Sequence, residues 1–368
     1  MKSTSKDSKI YLFNAYSLNN NNDIFISGSD RVGLELIKQD PSNAVVFAPN
    51  CFRSLLPQEC VFVSTQDVLS KSLVLNYLYR TAKSLQLLKK YSQECSYIIS
   101  TSDFFCDTIP AFMCSGVSRW YAFTFHLYPD VIRNFSIRNL FGNLAQALSF
   151  LLFKRANLVI TTNNNLSNHL KHFYNIDNIL KIKLGVDFTK YLNSNKDRPV
   201  DLIFLGRIKD SKGVFELPEI ISLVAKSVDT LSVEIVGNGD TQDLEKLKNL
   251  ITKFHVRDYL KITSNLNDSQ VIDRLKNSKY LIQLSREEGF GLVILEALAS
   301  GCQVLGYELP VYLENFSEFN LKMTENFNQK NLSLFIIDSI KTYQFKSTDK
   351  RNFVNFEWES IYNSIFNN

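Results

Sequence analysis

No C-x-x-C pair occurs among the six cysteines, and no apolar stretch approaches the ~20 residues that a membrane-spanning helix requires. The nearest, between Arg138 and Lys154, holds 15 uncharged residues. The N-terminal "MKSTSKDSKIYLFNAY" has only a four-residue apolar run, too short for the core of a signal peptide. Buried thiols in a reducing cytoplasm are therefore expected. Low-complexity tracts and short-period repeats are also missing, although "NNNND" (19–23) reads as a mobile loop. Sequons such as Asn134 to Ser136 are chance occurrences in an Asn-rich chain without a secretion signal.

What is present is the chemistry of a soluble globular protein: 45% hydrophobic and 21% charged residues exclude disorder over most of the length. At 368 residues the chain exceeds what one core usually holds, so two domains of roughly 150 to 200 residues are expected. Charge divides unevenly, with residues 1–190 at net +7 and residues 191–368 at net −3. The basic half is the one expected to meet an anionic surface.

Apolar runs ending in turn residues alternate with longer segments of helical periodicity. "DIFISGSD", "NAVVFAPN", "CVFVST", "SYIISTSD", "RWYAFTFH" and "NLVITTNN" read as buried strands, with helical patterns such as "VLSKSLVLNYLYRTAKSLQLLKKYSQ" between them. The second half repeats this grammar. "PVDLIFLGR", "LSVEIVGNG", "YLKITSN", "KYLIQLS" and "CQVLGYE" read as strands, and "DTQDLEKLKNLITKF", "DSQVIDRLKNS" and "GLVILEALAS" as helices. The reading is α/β: two Rossmann-like, doubly wound parallel-sheet domains joined near residues 188–198 and facing a cleft. Ligands of such sheets bind beyond the carboxyl ends of the strands, so the informative residues are those that follow them.

After "DLIFL" come Gly206 and Arg207, then Lys212 and Gly213 where the next helix is expected to open. A guanidinium fork at a strand end and an ammonium at a helix start suit a diphosphate, although two solvated surface cations would look the same. "VGNGD" (236–240) reads as a tight turn, because the third glycine of a dinucleotide fingerprint is missing. "SREEGFGLVILEALASG" places Glu288 in a loop after a strand and Glu296 more than a turn inside a helix that Gly301 stops. Eight helical residues span about 12 Å, the reach from a sugar ring through a diphosphate to a ribose. Between the two acids, the amides of Gly289, Phe290, Gly291 and Leu292 stand at a helix N-terminus, where free N–H groups and the dipole attract phosphate. Glu296 has apolar neighbours on both sides, so an exposed surface role is disfavoured and a buried partner is expected.

This pattern resembles the retaining GT-B glycosyltransferases of family 4, over most of the chain and most strongly from about residue 200 to 318. The family's Glu-x7-Glu pair falls on Glu288 and Glu296, and its Gly-Arg and Lys-Gly pairs fall on Gly206-Arg207 and Lys212-Gly213. "LGVDFTKY" is similar to its linker entry, with Leu184 where Asn is usual. The resemblance implies an acceptor domain over 1–190, a nucleotide-sugar donor domain over 191–349, and a helix over 350–368 that packs back on the first domain. Arg207 and Lys212 would neutralise the diphosphate, the Gly289 to Leu292 amides would cradle it, Glu296 would hold the ribose and Glu288 the donor sugar. Gly28 stands where the family has a glycine-rich loop, and His126 where it has a histidine that faces the donor sugar and stabilises an oxocarbenium-like transition state. His169, His172 and His255 fit no constellation and read as surface residues.

The implied reaction is transfer of a glycosyl group with retention, from a nucleotide-diphosphate sugar to a saccharide or lipid-linked saccharide in cell-surface glycan assembly. No Asp-x-Asp occurs, so no metal and no other cofactor is expected; cations and helix-end amides would supply the electrostatics. Gln303 where the family commonly has Pro, an "SGSD" poorer in glycine than its usual loop, and a "GYELPVYLENF" without its downstream Gly-Gly bear on acceptor geometry and donor identity. Residues 71–90 carry five cations and no acid among many Leu and Tyr. With residues 138–155 they suit either an anionic membrane surface, placing the protein on the inner face of the membrane, or core helices with snorkelling ends. Two other classes stay in view: a non-catalytic GT-B partner subunit that binds glycans or a sister enzyme, and a nicotinamide oxidoreductase resting on Gly-x-Gly alone. Nucleic-acid binding has no motif behind it.

Overall fold

The computed structural model describes residues 7–15, 28–66, 72–128, 137–192, 196–325, 327–345 and 348–367. By internal contacts the chain forms two compact units, one of Met1–Leu184 with Trp358–Asn368 and one of Gly185–Glu357. The loop 19–23, the sequon at 134–136 and residues 23–27 of the expected "DIFISGSD" strand lie outside the described residues.

The first unit is a seven-stranded parallel sheet in the order β3-β2-β1-β4-β5-β6-β7. Its strands are β1 (Lys9–Leu12), β2 (Ala44–Ala48), β3 (Val61–Ser64), β4 (Tyr97–Ser100), β5 (Arg119–Phe123), β6 (Leu158–Thr161) and β7 (Ile179–Lys181). Between them run α1 (Gly28–Gln39), α2 (Leu73–Tyr91), α3 (Phe105–Cys114), α4 (Ile137–Leu152) and α5 (Asn164–Tyr174). Every residue of β2, "AVVFA", is buried, as expected for a strand covered on both faces. The core gathers Ile98, Trp120, Phe150 and Phe153, and the Trp120 indole donates to Ser100 Oγ at 3.0 Å.

The sequence reading missed this unit's first strand. "KIYL" pairs with both β2 and β4, whereas Gly28 to Asp30 of the expected "DIFISGSD" strand form the first turn of α1. The physical reason is that Lys9 opens β1 with a charge yet is buried, because its ammonium reaches Asp40 Oδ2 at 2.8 Å. A second correction concerns His169, which packs in a ring cluster with Phe150, Phe173 and Tyr174; burial lowers its pKa.

The second unit holds a six-stranded parallel sheet, β10-β9-β8-β11-β12-β13. Its strands are β8 (Val200–Leu205), β9 (Val233–Val236), β10 (Leu260–Thr263), β11 (Ser278–Gln283), β12 (Gln303–Tyr307) and β13 (Lys322–Thr324). The helices are α6 (Phe188–Tyr191), α7 (Leu217–Val224), α8 (Thr241–Lys253), α9 (Asp268–Lys276), α10 (Leu292–Ala299), α11 (Pro310–Asn315) and α12 (Gln329–Lys341). Local chemistry sets their starts: Asp240 caps α8, and Asn267 with Gln270 forms a capping box on α9. The last helix, α13 (Trp358–Phe366), belongs to the first unit. Its Tyr362 hydroxyl donates to Asp40 Oδ2 at 2.8 Å, and its Phe366 ring stacks on Tyr121.

Both sheets follow the doubly wound order, in which the chain leaves one central strand toward one edge and returns to start the other half beside it. The switch points lie between β1 and β4 and between β8 and β11. Among the described residues no helix is long and apolar enough to cross a membrane.

Candidate functional site

The switch point of the second sheet brings together most of the residues singled out by the sequence. β8 and β11 pair side by side, so the segments leaving their carboxyl ends, Gly206 to Lys212 and Leu284 to Glu288, are neighbours. Gly237 makes the first segment possible, since a Cβ there would stand 1.8 Å from the Gly206 carbonyl oxygen. The Gly-x-Gly after β9 is thus the seat of the Gly206-Arg207 loop, with Gly206 N–H donating to Val236 and Ile208 N–H to Asn238. Arg207 itself is exposed.

Lys212 closes a short 3-10 turn, Asp210–Lys212, and α7 begins only at Leu217, five residues later than the expected helix start. The intervening residue explains the break. Gly213 adopts φ +70, and a Cβ there would lie 2.2 Å from the carbonyl oxygen of Leu284 at the end of β11. That close approach delivers Lys212 to the neighbouring loop, where its ammonium meets Glu288 Oε1 at 2.5 Å. The same oxygen accepts from Ser285 Oγ at 2.9 Å and from Gln283 Nε2 at 3.3 Å. Gln283 donates also to the Tyr312 hydroxyl at 2.8 Å, and burial, with the Glu288 charge added, pushes that phenol well above its ordinary pKa.

The loop carrying Glu288 is held from its other side by Arg286. Its guanidinium pairs with Glu216, stacks over Phe327 at 4.3 Å, and its amide donates to Ser211. Glu216 also accepts from the Tyr307 hydroxyl at 3.0 Å, and this phenol is raised by burial first and by Glu216 second. Gln283, Ser285, Tyr312, Glu216 and Arg286 were all missed in the sequence, because each is given its role by partners from another element. Only Ser285 and Arg286, inside the "SREEGF" loop, carried any signal.

Gly289 to Leu292 lead into α10, with Gly291 as its N-cap at φ +100. The Phe290 ring is buried against Phe316, so its main chain, not its side chain, is what it can offer to a ligand. Glu296 sits mid-helix and is 6% exposed, which removes the surface alternative. At the far end of α10, the guanidinium of Arg198, 2% exposed, donates to Ser300 O at 2.7 Å and to Ser278 O at 2.6 Å. A cation at that helix terminus complements the dipole whose positive end lies at Gly291.

The first unit places the two remaining residues separately. Gly28 is exposed at the start of α1, and a Cβ there would meet nothing within 4 Å. Gly33, one turn on, is the packed one, since a Cβ would fall 2.5 Å from the Phe13 ring. His126 is exposed in the segment after β5, and its carbonyl accepts from Gln146 Nε2 at 2.9 Å.

Residues 188–344 match the model of a family described as Glycosyl transferases group 1. Over 128 residues the chain is 28% identical to the GtfA subunit of UDP-N-acetylglucosamine–peptide N-acetylglucosaminyltransferase from Streptococcus pneumoniae, a match that spans 34% of this chain and 24% of that protein. Among solved structures, WaaG, a glycosyltransferase involved in lipopolysaccharide biosynthesis, superposes over 98% of both chains with a TM-score of 0.73 at 14% identity. HepE of Anabaena, solved with UDP and glucose, gives a TM-score of 0.69 at 18% identity over 98% of this chain and 95% of its own. These likenesses show the fold.

Proposed function

We propose that this chain, which has the GT-B fold and whose residues 188–344 match the glycosyl transferases group 1 family, transfers a glycosyl group from a nucleotide-diphosphate sugar to a saccharide or lipid-linked saccharide, with retention and without a metal. The observation that carries this reading is the convergence of Lys212 and Glu288 at the switch point of β8 and β11, beside Gly206-Arg207 and the N-terminus of α10. Two cations, a helix N-terminus and a hydrogen-bonded carboxylate are complementary to a diphosphate joined to a polyol.

In this mechanism the donor diphosphate draws Lys212 away from Glu288, and Arg207 completes the neutralisation. Glu288, still oriented by Ser285 and Gln283, is then released to accept hydrogen bonds from sugar hydroxyls. Glu296 holds the ribose. The bond between the anomeric carbon and the phosphate oxygen breaks, the acceptor oxygen bonds to the same face, and its proton passes to the leaving phosphate. No separate base is needed. Charge developing on the diphosphate is where fixed cations contribute most. The role of His126 at the sugar rests on the resemblance.

The acceptor assigned here is carried at an anionic membrane surface on its cytoplasmic side. In support, α4 exposes Leu140, Phe141, Leu144, Leu148 and Leu151 along one face, and Lys154 and Arg155 follow it exposed.

The test is a thermal-shift screen against UDP-, GDP-, dTDP- and ADP-sugars, repeated on Arg207→Ala and Glu296→Ala. Stabilisation by one nucleotide class, ~2.7 kcal/mol at 100 times the dissociation constant, is expected in the parent and lost in both variants. A folded protein that no donor stabilises would point instead to a non-catalytic partner subunit.

A further inference from the structure

We infer that Gln146 is the positioning residue of the segment that bears His126, setting the imidazole by clamping the main chain between the His126 carbonyl and the Tyr128 amide. The inference rests on the reading of His126 as the sugar-facing residue. Gln146 lies on α4 and is 9% exposed. Its Oε1 accepts from Tyr128 N–H at 2.8 Å, while Nε2 donates to the His126 carbonyl at 2.9 Å and to Asp103 Oδ2 at 2.8 Å. Asp103 in turn accepts from Thr124 Oγ1 at 2.8 Å. The segment 124–128 is thereby tied at Thr124, His126 and Tyr128 to one amide and one carboxylate.

The chemistry demands a primary amide. One acceptor is required for Tyr128 N–H, and two donors for a carbonyl and a carboxylate, which is the inventory of glutamine and of no charged residue. Glutamate at this position would keep the acceptor but set a second carboxylate against Asp103 and lose the bond to the His126 carbonyl. Leucine would fill the space and satisfy none of the three. Gly142, one turn earlier on α4, lets the helix come down on this segment, since a Cβ there would fall 2.3 Å from the Tyr128 ring. Main chain at 126 and 128 is pinned while the His126 residue stays exposed, an arrangement that fixes an imidazole's direction without enclosing it.

The experiment combines kinetics with histidine NMR on the full chain, using Gln146→Leu and Gln146→Glu with and without His126→Ala, and the donor that the thermal-shift screen selects. The expected result is a fall in kcat between about 10-fold and about 10²-fold, with donor KM within about twofold. In the His126→Ala background the same changes should cost nothing further, because the two residues act as one unit. The chain has four histidines, so the imidazole signal of His126 is assignable by its loss in His126→Ala. It should move in both Gln146 variants while those of His169, His172 and His255 stay in place. An equal loss of kcat with and without His126, or an unmoved His126 signal in a folded variant, overturns the proposal. Should His126→Ala turn over like the parent, the catalytic reading of His126 fails, and the NMR shift alone decides whether Gln146 sets its position. If Gln146→Leu fails to fold, Gln146→Glu carries both readouts.

Discussion

Single residues show where titration and function separate. Asp107, at the start of α3, is fully buried, and burial pushes its carboxyl from 3.8 up to about 7, against the opposing Ser102 hydroxyl and Asn14 amide and with the Asp30 charge adding to the rise. A raised acid binds its proton more tightly folded than unfolded, so its contribution is complete below about pH 4 and is lost as pH rises through about 7. Asp107→Asn keeps the acceptor for Asn14 N–H and a partner for Ser102. The variant is expected to flatten the stability profile between pH 4 and 7 and to gain up to a few kcal/mol above it, as read by chemical denaturation at several pH values. At the same scale the candidate site was half legible. Arg207, Lys212, Glu288 and Glu296 could be read because each follows a strand or interrupts an apolar helix. Gln283 and Tyr312 could not, since a polar residue at the end of a buried strand and a phenol on a short helix acquire meaning only when they meet across 29 positions. Gly33 drew no notice in the sequence because its need for a missing Cβ comes from Phe13, a contact made only in the fold.

Secondary-structure elements carry their own signals with different strength. The central strands announce themselves as continuous apolar runs, which is what burial on both faces requires. β1, β7 and β13 are short and carry lysine at one end, so their periodicity is lost in three or four residues. Helix α4 has two distinct faces: Gln146 and Ser149 turn inward, and Phe141, Leu144, Leu148 and Leu151 turn outward at spacings of three and four. An exposed apolar stripe of this kind fits the membrane-facing reading of the proposed function. Leu144→Glu together with Leu148→Glu is therefore expected to reduce sedimentation with vesicles containing anionic lipid by about tenfold or more, each buried leucine contributing about 1.5 kcal/mol or more. Melting temperature should be unchanged, because neither side chain is in the core. Equal sedimentation of parent and variant would remove the membrane from the proposal, and equal binding to neutral vesicles would remove its anionic charge.

At the scale of the whole molecule, the two sheets were legible and the way the chain divides between them was less so. Expected divisions at 190 and 349 stand a few residues from the observed ones at Leu184 and Glu357, because the segments 185–191 and 350–357 pack together in the second unit: Val186 N–H donates to Phe356 O, and the Phe188 ring lies 4.8 Å from that of Phe353. The return of α13 adds Trp358, Ile361, Tyr362 and Ile365 to the buried set of the first unit. Deleting residues 358–367 should lower the stability of that unit by several kcal/mol, at about 1.5–3 kcal/mol for each large side chain exposed. Calorimetry should show the loss in one transition and leave the second unit's transition in place.

That returning helix also sets an order of events during biosynthesis. Domains generally mature in the order in which the ribosome delivers them, the earlier one closing while the later is still being made. Here β1 to β7 are delivered first, but α13, whose Tyr362 joins Lys9 at Asp40, is translated only after every strand of the second sheet. The second unit can close on residues already synthesised, whereas the first must wait, its α1 face uncovered, through the translation of 173 intervening residues from Gly185 to Glu357. The half of the protein made first is thus the half finished last.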